Sequence, residues 1–71
     1  MQRYLMIIEA TSTGYSAYSP DLAGCVAAGA SRADVERAMR EAIELHLEGL
    51  RDAGLPISVV ATSATYVEVA A

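Results

Sequence analysis

Four side chains in this sequence have the chemistry expected of catalytic or metal-binding groups. His46 is the only histidine, Cys25 is the only cysteine, and Glu9 and Asp21 lie near the ends of short apolar segments. A histidine acting as a general base needs a nucleophile or an orienting carboxylate, and zinc needs several ligands at characteristic spacings. The sequence contains no H-x-x-x-H, C-x-x-C or phosphate-binding glycine motif. We therefore predict no catalytic residue, no metal site and no cofactor.

Each of these residues also has an ordinary structural explanation. His46 falls within the apolar stripe of a predicted helix, where an imidazole packs at the edge of the core with one nitrogen hydrogen-bonded. Cys25 stands among small residues, which is typical of a buried structural thiol. Asp21 follows a proline, and its carboxylate can bond the backbone of the turn. An enzyme that uses His46 with an acidic neighbour stays open as an alternative.

One helix, from about Ser31 to Ala53, organises the predicted fold. Apolar residues recur there at intervals of three and four, which places them on one side of a helix. Ser31 is the predicted N-cap, and Asp34 places an anion at the positive helix end. Gly54 and Pro56 end the helix. The predicted apolar stripe consists of Val35, Met39, Ala42, Ile43, His46, Leu50 and Ala53.

Short strands account for most of the remaining chain. Residues 2–10 are apolar on both faces, which indicates a first strand covered on both sides. Strands at 15–19 and 24–28 follow after turn residues, and residues 66–69 alternate as a last strand. The order β-β-β-α-β predicts an α+β two-layer sandwich, with one helix packed on a small, mostly antiparallel sheet. Because one helix covers one face, we expect a second copy of the chain against the other.

Composition narrows the classes of function. The 71 residues form one predicted domain, 1–71, and a core of that size favours a homodimer or higher homo-oligomer. The net charge is −4 and there is no lysine, so we expect no direct binding of nucleic acid. No apolar run approaches the roughly 20 residues of a membrane span. The absence of a signal-like start and the single cysteine favour a cytoplasmic protein.

The stretch 18–31, Tyr-Ser-Pro-Asp-Leu-Ala-Gly-Cys-Val-Ala-Ala-Gly-Ala-Ser, resembles the signature of HicB-like antitoxin domains. In that family a strand leads into Pro-Asp-Leu-Pro-Gly-Cys, then a small strand and a Gly-x-Thr/Ser helix start. Residues 41–43 and 47–48 resemble the family's helix, and 54–57 resemble its exit. Ala23 stands where the family usually has proline. The motif positions, carried over as fold-defining and as candidate partner contacts, are Pro20, Asp21, Leu22, Gly24 and Cys25.

This resemblance implies a fold similar to a partial ribonuclease H domain without its catalytic carboxylates. It also implies a HicA-type toxin as partner, a small RNA-cleaving protein whose active surface the antitoxin covers. Many members carry a C-terminal DNA-binding domain; this sequence ends at Ala71, so we expect a short stand-alone member without operator binding. We accordingly expect a non-enzymatic antitoxin-like module that neutralises such a toxin. The alternative is a stand-alone homo-oligomeric regulatory or structural module with a different protein partner.

Overall fold

Antiparallel pairing builds a three-stranded sheet from the first part of the chain. The structure, a computed structural model, describes residues 2–71. Strands β1 (Ile7–Ala10), β2 (Tyr15–Tyr18) and β3 (Val26–Gly29) are followed by the helix α1 (Arg32–Asp52). The strand order is β1-β2-β3, so β1 and β3 lie at the two edges. These elements confirm the predicted α+β class.

The strand register gives the sheet two different faces. Side chains on neighbouring strands line up in rows across the sheet, and successive residues of a strand point to opposite faces. The row beneath α1 is Ile8, Ala17 and Ala27. The next row, which we name the open row, is Ile7, Tyr18 and Val26. No helix covers the open row within residues 2–71, and Val26 is 67% exposed.

Helix α1 begins and ends close to the predicted positions. Ser31 has extended backbone, and its Oγ accepts the backbone N–H of Asp34 at 3.1 Å, which confirms the N-cap. Ala53 is the C-cap, and Gly54 follows with φ +70°, a left-handed conformation that favours glycine. Among the described residues, no helix combines the length and the apolarity that crossing a membrane requires.

The core forms where α1 meets the sheet and the loop that follows β2. Its fully buried side chains are Leu22, Val35 and Met39, and Ala17 and Cys25 are nearly as enclosed. α1 is longer than the four-residue strands, so its later turns have less sheet to pack against. The side chains of the predicted stripe therefore become less buried toward the C-terminal end of the helix. The side chains of the later turns that still pack on the core are Ala42, Ile43 and Leu47, of which Leu47 was not predicted. Two stripe residues, His46 and Leu50, are half-buried, and the last one, Ala53, is exposed.

The first strand is shorter than predicted. Residues 2–6 do not join the ladder, because β2 ends at Tyr18 opposite Ile7 and the chain then turns away. The carbonyl of Leu5 instead accepts a hydrogen bond from the buried Ser19 Oγ at 2.8 Å. The second strand ends one residue before its predicted limit, and the third lies one to two residues later than predicted.

The predicted last strand at residues 66–69 is wrong for the chain on its own. Residues 55–71 form neither helix nor strand, and Tyr66, Val67 and Val69 are 101%, 76% and 77% exposed. The alternation of side chains there is that of a strand, but a strand also needs a neighbouring backbone to accept and donate its hydrogen bonds. No segment within residues 2–71 supplies that backbone.

Candidate functional site

The motif found in the sequence forms a compact loop, residues 19–25, between β2 and β3. The N–H of Leu22 donates to the Ser19 carbonyl at 3.1 Å, the N–H of Cys25 to the Leu22 carbonyl at 3.1 Å, and the N–H of Ser19 to the Cys25 carbonyl at 3.3 Å. Gly24 has φ +81°, which side chains disfavour. Leu22 and Cys25 are buried in the core. These residues therefore fix the shape of the loop.

Asp21 ties this loop to the C-terminal part of the chain. Its Oδ2 accepts the N–H of Ala61 at 3.3 Å and of Thr62 at 3.1 Å, and its Oδ1 accepts the Thr62 hydroxyl at 2.8 Å. The Thr62 hydroxyl, with the two backbone donors, stabilises the carboxylate and lowers the pKa of Asp21. The expected bond to its own turn is thus replaced by bonds to a distant segment.

A second hydrogen bond holds the same segment close to the sheet. The Tyr4 hydroxyl donates to the Ser58 carbonyl at 2.8 Å, and the Tyr4 ring packs against the core. We name residues 58–62 the tethered segment and residues 63–71 the tail. The tail makes no hydrogen bond to the rest of the described chain. The C-terminal region is therefore anchored at its start and free beyond Thr62.

The residues with catalytic potential do not come together. Cys25 is buried, its Sγ donates weakly to the Ala42 carbonyl at 3.5 Å, and burial raises the pKa of its thiol. Burial disfavours the thiolate, the reactive form of cysteine, so the position of Cys25 agrees with a structural thiol. His46 is half-buried on α1, and no hydrogen bond or ion pair in the described chain joins it to Cys25, Asp21 or Glu9. The arrangement offers no paired nucleophile and base.

Metal-binding clusters and surface depressions are two further features of the described residues that could mark a site. Residues 2–71 hold no group of three or more His, Cys, Asp or Glu side chains able to bind a metal ion. A depression beside the hairpin loop is lined by Thr11, Tyr15 and Gly29, among others. Neither Cys25 nor His46 lines it. The exposed surfaces of the described chain are the next candidates for a functional site.

One such surface is an acidic stripe on the exposed side of α1, made of Glu41, Glu44, Leu45, Glu48 and Asp52. These residues recur at intervals of three and four, so they lie along one side of the helix. Leu45 is 69% exposed among the carboxylates. Both ion pairs found within residues 2–71 lie in the first turns of α1, so the four carboxylates have no ion-pair partner there. The acidic stripe suits a basic protein surface.

Comparison with known proteins identifies the family of this chain. A sequence model described as the HicB_like antitoxin of bacterial toxin-antitoxin system matches residues 4–70. The chain belongs to the HicB-like antitoxin family. A UPF0150 protein of Helicobacter pylori strain J99 is 46% identical over 44 residues, which cover 62% of this chain and 61% of that protein. The match thus spans less than two thirds of this relative's length.

A solved structure supports the same assignment. A chain from the HicA3 and HicB3 toxin-antitoxin complex has 33% sequence identity and a TM-score of 0.70, over 84% of this chain and 70% of that chain. The family resemblance inferred from the stretch 18–31 is confirmed. The family match runs to residue 70, so it includes almost all of the tail.

Two residues of these surfaces were not identified from the sequence. Thr62 holds the carboxylate of Asp21 across about forty positions of chain, and a single aspartate in a loop gives no indication of a partner so distant. Leu45 was detectable, since it is an apolar residue outside the predicted stripe, with glutamates at positions 41, 44 and 48. A single exposed leucine is common on protein surfaces, and only the neighbouring carboxylates indicate that this one belongs to a binding surface.

Proposed function

We propose that this HicB-like antitoxin is a non-enzymatic, cytoplasmic protein-binding module that neutralises a HicA-type RNA-cleaving toxin by covering its catalytic surface. The observation that carries the proposal is the acidic stripe, whose carboxylates lie beside an exposed leucine and have no ion-pair partner within residues 2–71. A protein that binds RNA needs a basic surface. The toxin therefore supplies the complementary charge.

The acidic stripe has the composition of a binding patch. Its exposed apolar side chain gains affinity when water is excluded, whereas the neighbouring carboxylates steer a basic partner and fix the orientation of binding. All of these side chains project from one helix, so the backbone that carries them loses little conformational entropy on binding. The free edge of the sheet at β3 supports a second contact by strand addition.

In this proposal some motif residues hold the loop in shape, and others are candidate contacts to the toxin. Leu22 and Cys25 are buried, so they act by holding the loop in shape. Pro20 and Gly24 are exposed and remain candidate contacts to the partner. Asp21 holds the tethered segment beside the loop. With a net charge of −4, the chain offers nucleic acid no basic surface, and we propose no direct binding of DNA or RNA.

Truncation of Leu45 tests the acidic stripe. We expect Leu45→Ala to raise the Kd for the toxin about tenfold, because an apolar anchor that becomes buried in an interface costs more than 1 kcal/mol when truncated. Leu55→Ala is the matched control, since Leu55 is also exposed, at 56%, but lies beyond the helix. Binding is measured by calorimetry, and toxin activity by RNA cleavage. A toxin that cleaves RNA at its full rate in excess antitoxin would refute the proposal.

A different observation favours self-association. The open row and the tail leave apolar side chains in water, and a chain of 71 residues encloses a small core. We infer a homodimer or higher homo-oligomer. A stand-alone oligomeric module that regulates a different protein is the alternative to toxin neutralisation. Recovery of the chain from its host with a small basic protein in stoichiometric amount favours the antitoxin, and recovery only as an oligomer favours the alternative.

A further inference from the structure

The tail has the sequence of a β-strand and lacks a partner. Tyr66 and Glu68 alternate with Val67 and Val69, which is the two-residue period of a strand. Valine and tyrosine are also residues that strands favour. Tyr66 is fully exposed, and the tail forms no hydrogen bond to the rest of the described chain. To form a strand, the tail needs a neighbouring backbone that donates and accepts its hydrogen bonds.

The outer edge of the N-terminal segment lacks a partner in the same way. β1 pairs with β2 on one side, and no strand of the described chain pairs with it on the other. Residues 2–6 precede β1, have no regular structure and form no ladder with β2. Tyr4 and Met6 pack toward the core, and strand alternation would turn Leu5, between them, to the opposite face. An edge with apolar side chains on both faces is prone to pair with another chain.

We propose that the tail of one copy adds as an antiparallel strand to residues 2–6 of a second copy, and that the second copy returns its own tail. Two-fold symmetry makes the exchange reciprocal, so that both tails and both edges are paired. The tail leaves its own body at Thr62, where Asp21 holds it, and remains in water in the single chain. Its partner is therefore an edge on another copy.

Charge complementarity sets the register of this pairing. Arg3 is the only cationic side chain outside α1, and Glu68 is the only charged side chain of the tail. An antiparallel register that places Arg3 opposite Glu68 also places Leu5 opposite Tyr66 on the same face. Opposite charges and aromatic–aliphatic pairs in such positions stabilise neighbouring strands. The remaining pairs of this register are Tyr4 with Val67 and Met6 with Thr65.

The composition of the two segments also favours a second copy over a basic partner. Together they carry one positive and one negative side chain, so they match each other and offer a basic surface little attraction. The acidic stripe, which does offer that attraction, shares no residue with them. The exchange rests on the self-association proposed above and is independent of toxin binding.

Oligomer size measured by light scattering tests the exchange on the full chain. We expect a dimer for the wild type and at least a tenfold rise in the dimer dissociation constant for Val67→Asp, since the charge would enter the new strand pair. Val59→Asp is the matched control, because Val59 is 78% exposed and Val67 is 76% exposed but only Val67 lies in the tail. Val59→Asp should remain a dimer, and circular dichroism should show both variants folded.

Disulfide trapping tests the register. An equimolar mixture of Arg3→Cys and Glu68→Cys chains should form a disulfide-linked pair, whereas Arg3→Cys with Val67→Cys should not, since Val67 points to the other face. A monomer at every soluble concentration would refute both the exchange and self-association. A dimer unaffected by Val67→Asp, or a double variant Arg3→Cys/Glu68→Cys that closes its disulfide within one chain, would refute the exchange alone. Toxin affinity, unchanged in Val67→Asp, separates this result from the function of the acidic stripe.

Discussion

The loop at residues 19–25 and the tail are similarly short, but only the loop is complete within one chain. Ser19, Leu22 and Cys25 satisfy one another's backbone groups and bury their side chains. The tail has a strand pattern, yet Tyr66 and its neighbours remain in water. Residues close in sequence meet at little entropic cost, whereas a strand needs a distant backbone. A sequence pattern therefore specifies a turn more fully than it specifies a strand.

The largest contrast between the two regions is expected in the free energy of unfolding. Met39 is fully buried beside the loop, and Met39→Ala should cost about 2–5 kcal/mol, because it leaves a cavity in the core. Tyr66→Ala truncates a side chain that is larger than that of methionine but is exposed to water, so it should change the stability of the monomer by less than about 0.5 kcal/mol. Urea denaturation at low protein concentration measures both. Equal losses would mean that the tail packs on the core of its own chain.

A smaller effect is expected at the helix start, which is also completed by close neighbours. Ser31→Ala removes the acceptor of the Asp34 N–H and should cost about 1 kcal/mol. Ser31→Thr keeps a hydroxyl there and should recover most of that loss. Ser12→Ala, in the exposed hairpin loop, serves as the control for removing a serine. If the two alanine variants lose equal stability in thermal melts, the cap does not contribute.

The same distinction explains how much of the fold was predictable. Helix α1 was predicted closely, as about Ser31 to Ala53, because its cap, its apolar period and its stop are all local signals. The first strand was predicted too long, since its limit is set by the point where β2 turns away at Ser19 rather than by its own residues. The prediction of the last strand was wrong for the same reason, because the tail has the alternating pattern of a strand but lacks a neighbouring strand to pair with.

The candidate site was predictable to a lesser degree. The motif resemblance identified the family, and the burial of Cys25 followed from its small neighbours. The hydrogen bonds of Asp21 did not follow, because its donors, Ala61 and Thr62, come from a segment without regular structure. Glutamates were counted correctly as exposed, but the significance of Leu45 depends on its position among them in three dimensions.

The smallest expected effect concerns the junction of the two regions, where Asp21 holds the tethered segment. Its pKa in the folded chain lies below the ordinary value of 3.8, because the Thr62 hydroxyl and the backbone donors favour the carboxylate. The stabilisation is therefore fully present above the ordinary pKa and is lost as the pH falls through the lowered one. We expect the amide signals of Ala61 and Thr62 to be constant from neutral pH down to about pH 4. Below that pH they should shift together in nuclear magnetic resonance spectra.

Asp21→Asn supplies the control for this titration. An asparagine has one acceptor oxygen where the carboxylate uses two, so it cannot accept the Thr62 hydroxyl and both backbone N–H groups as Asp21 does. The two amides should therefore exchange with solvent faster at neutral pH and lose their acid-dependent shift, with little change in global stability. Val35, which lies in α1 and is fully buried, should keep its amide protection in both proteins. Amides of Ala61 and Thr62 that titrate identically in Asp21→Asn and wild type would show that another carboxylate governs the tether.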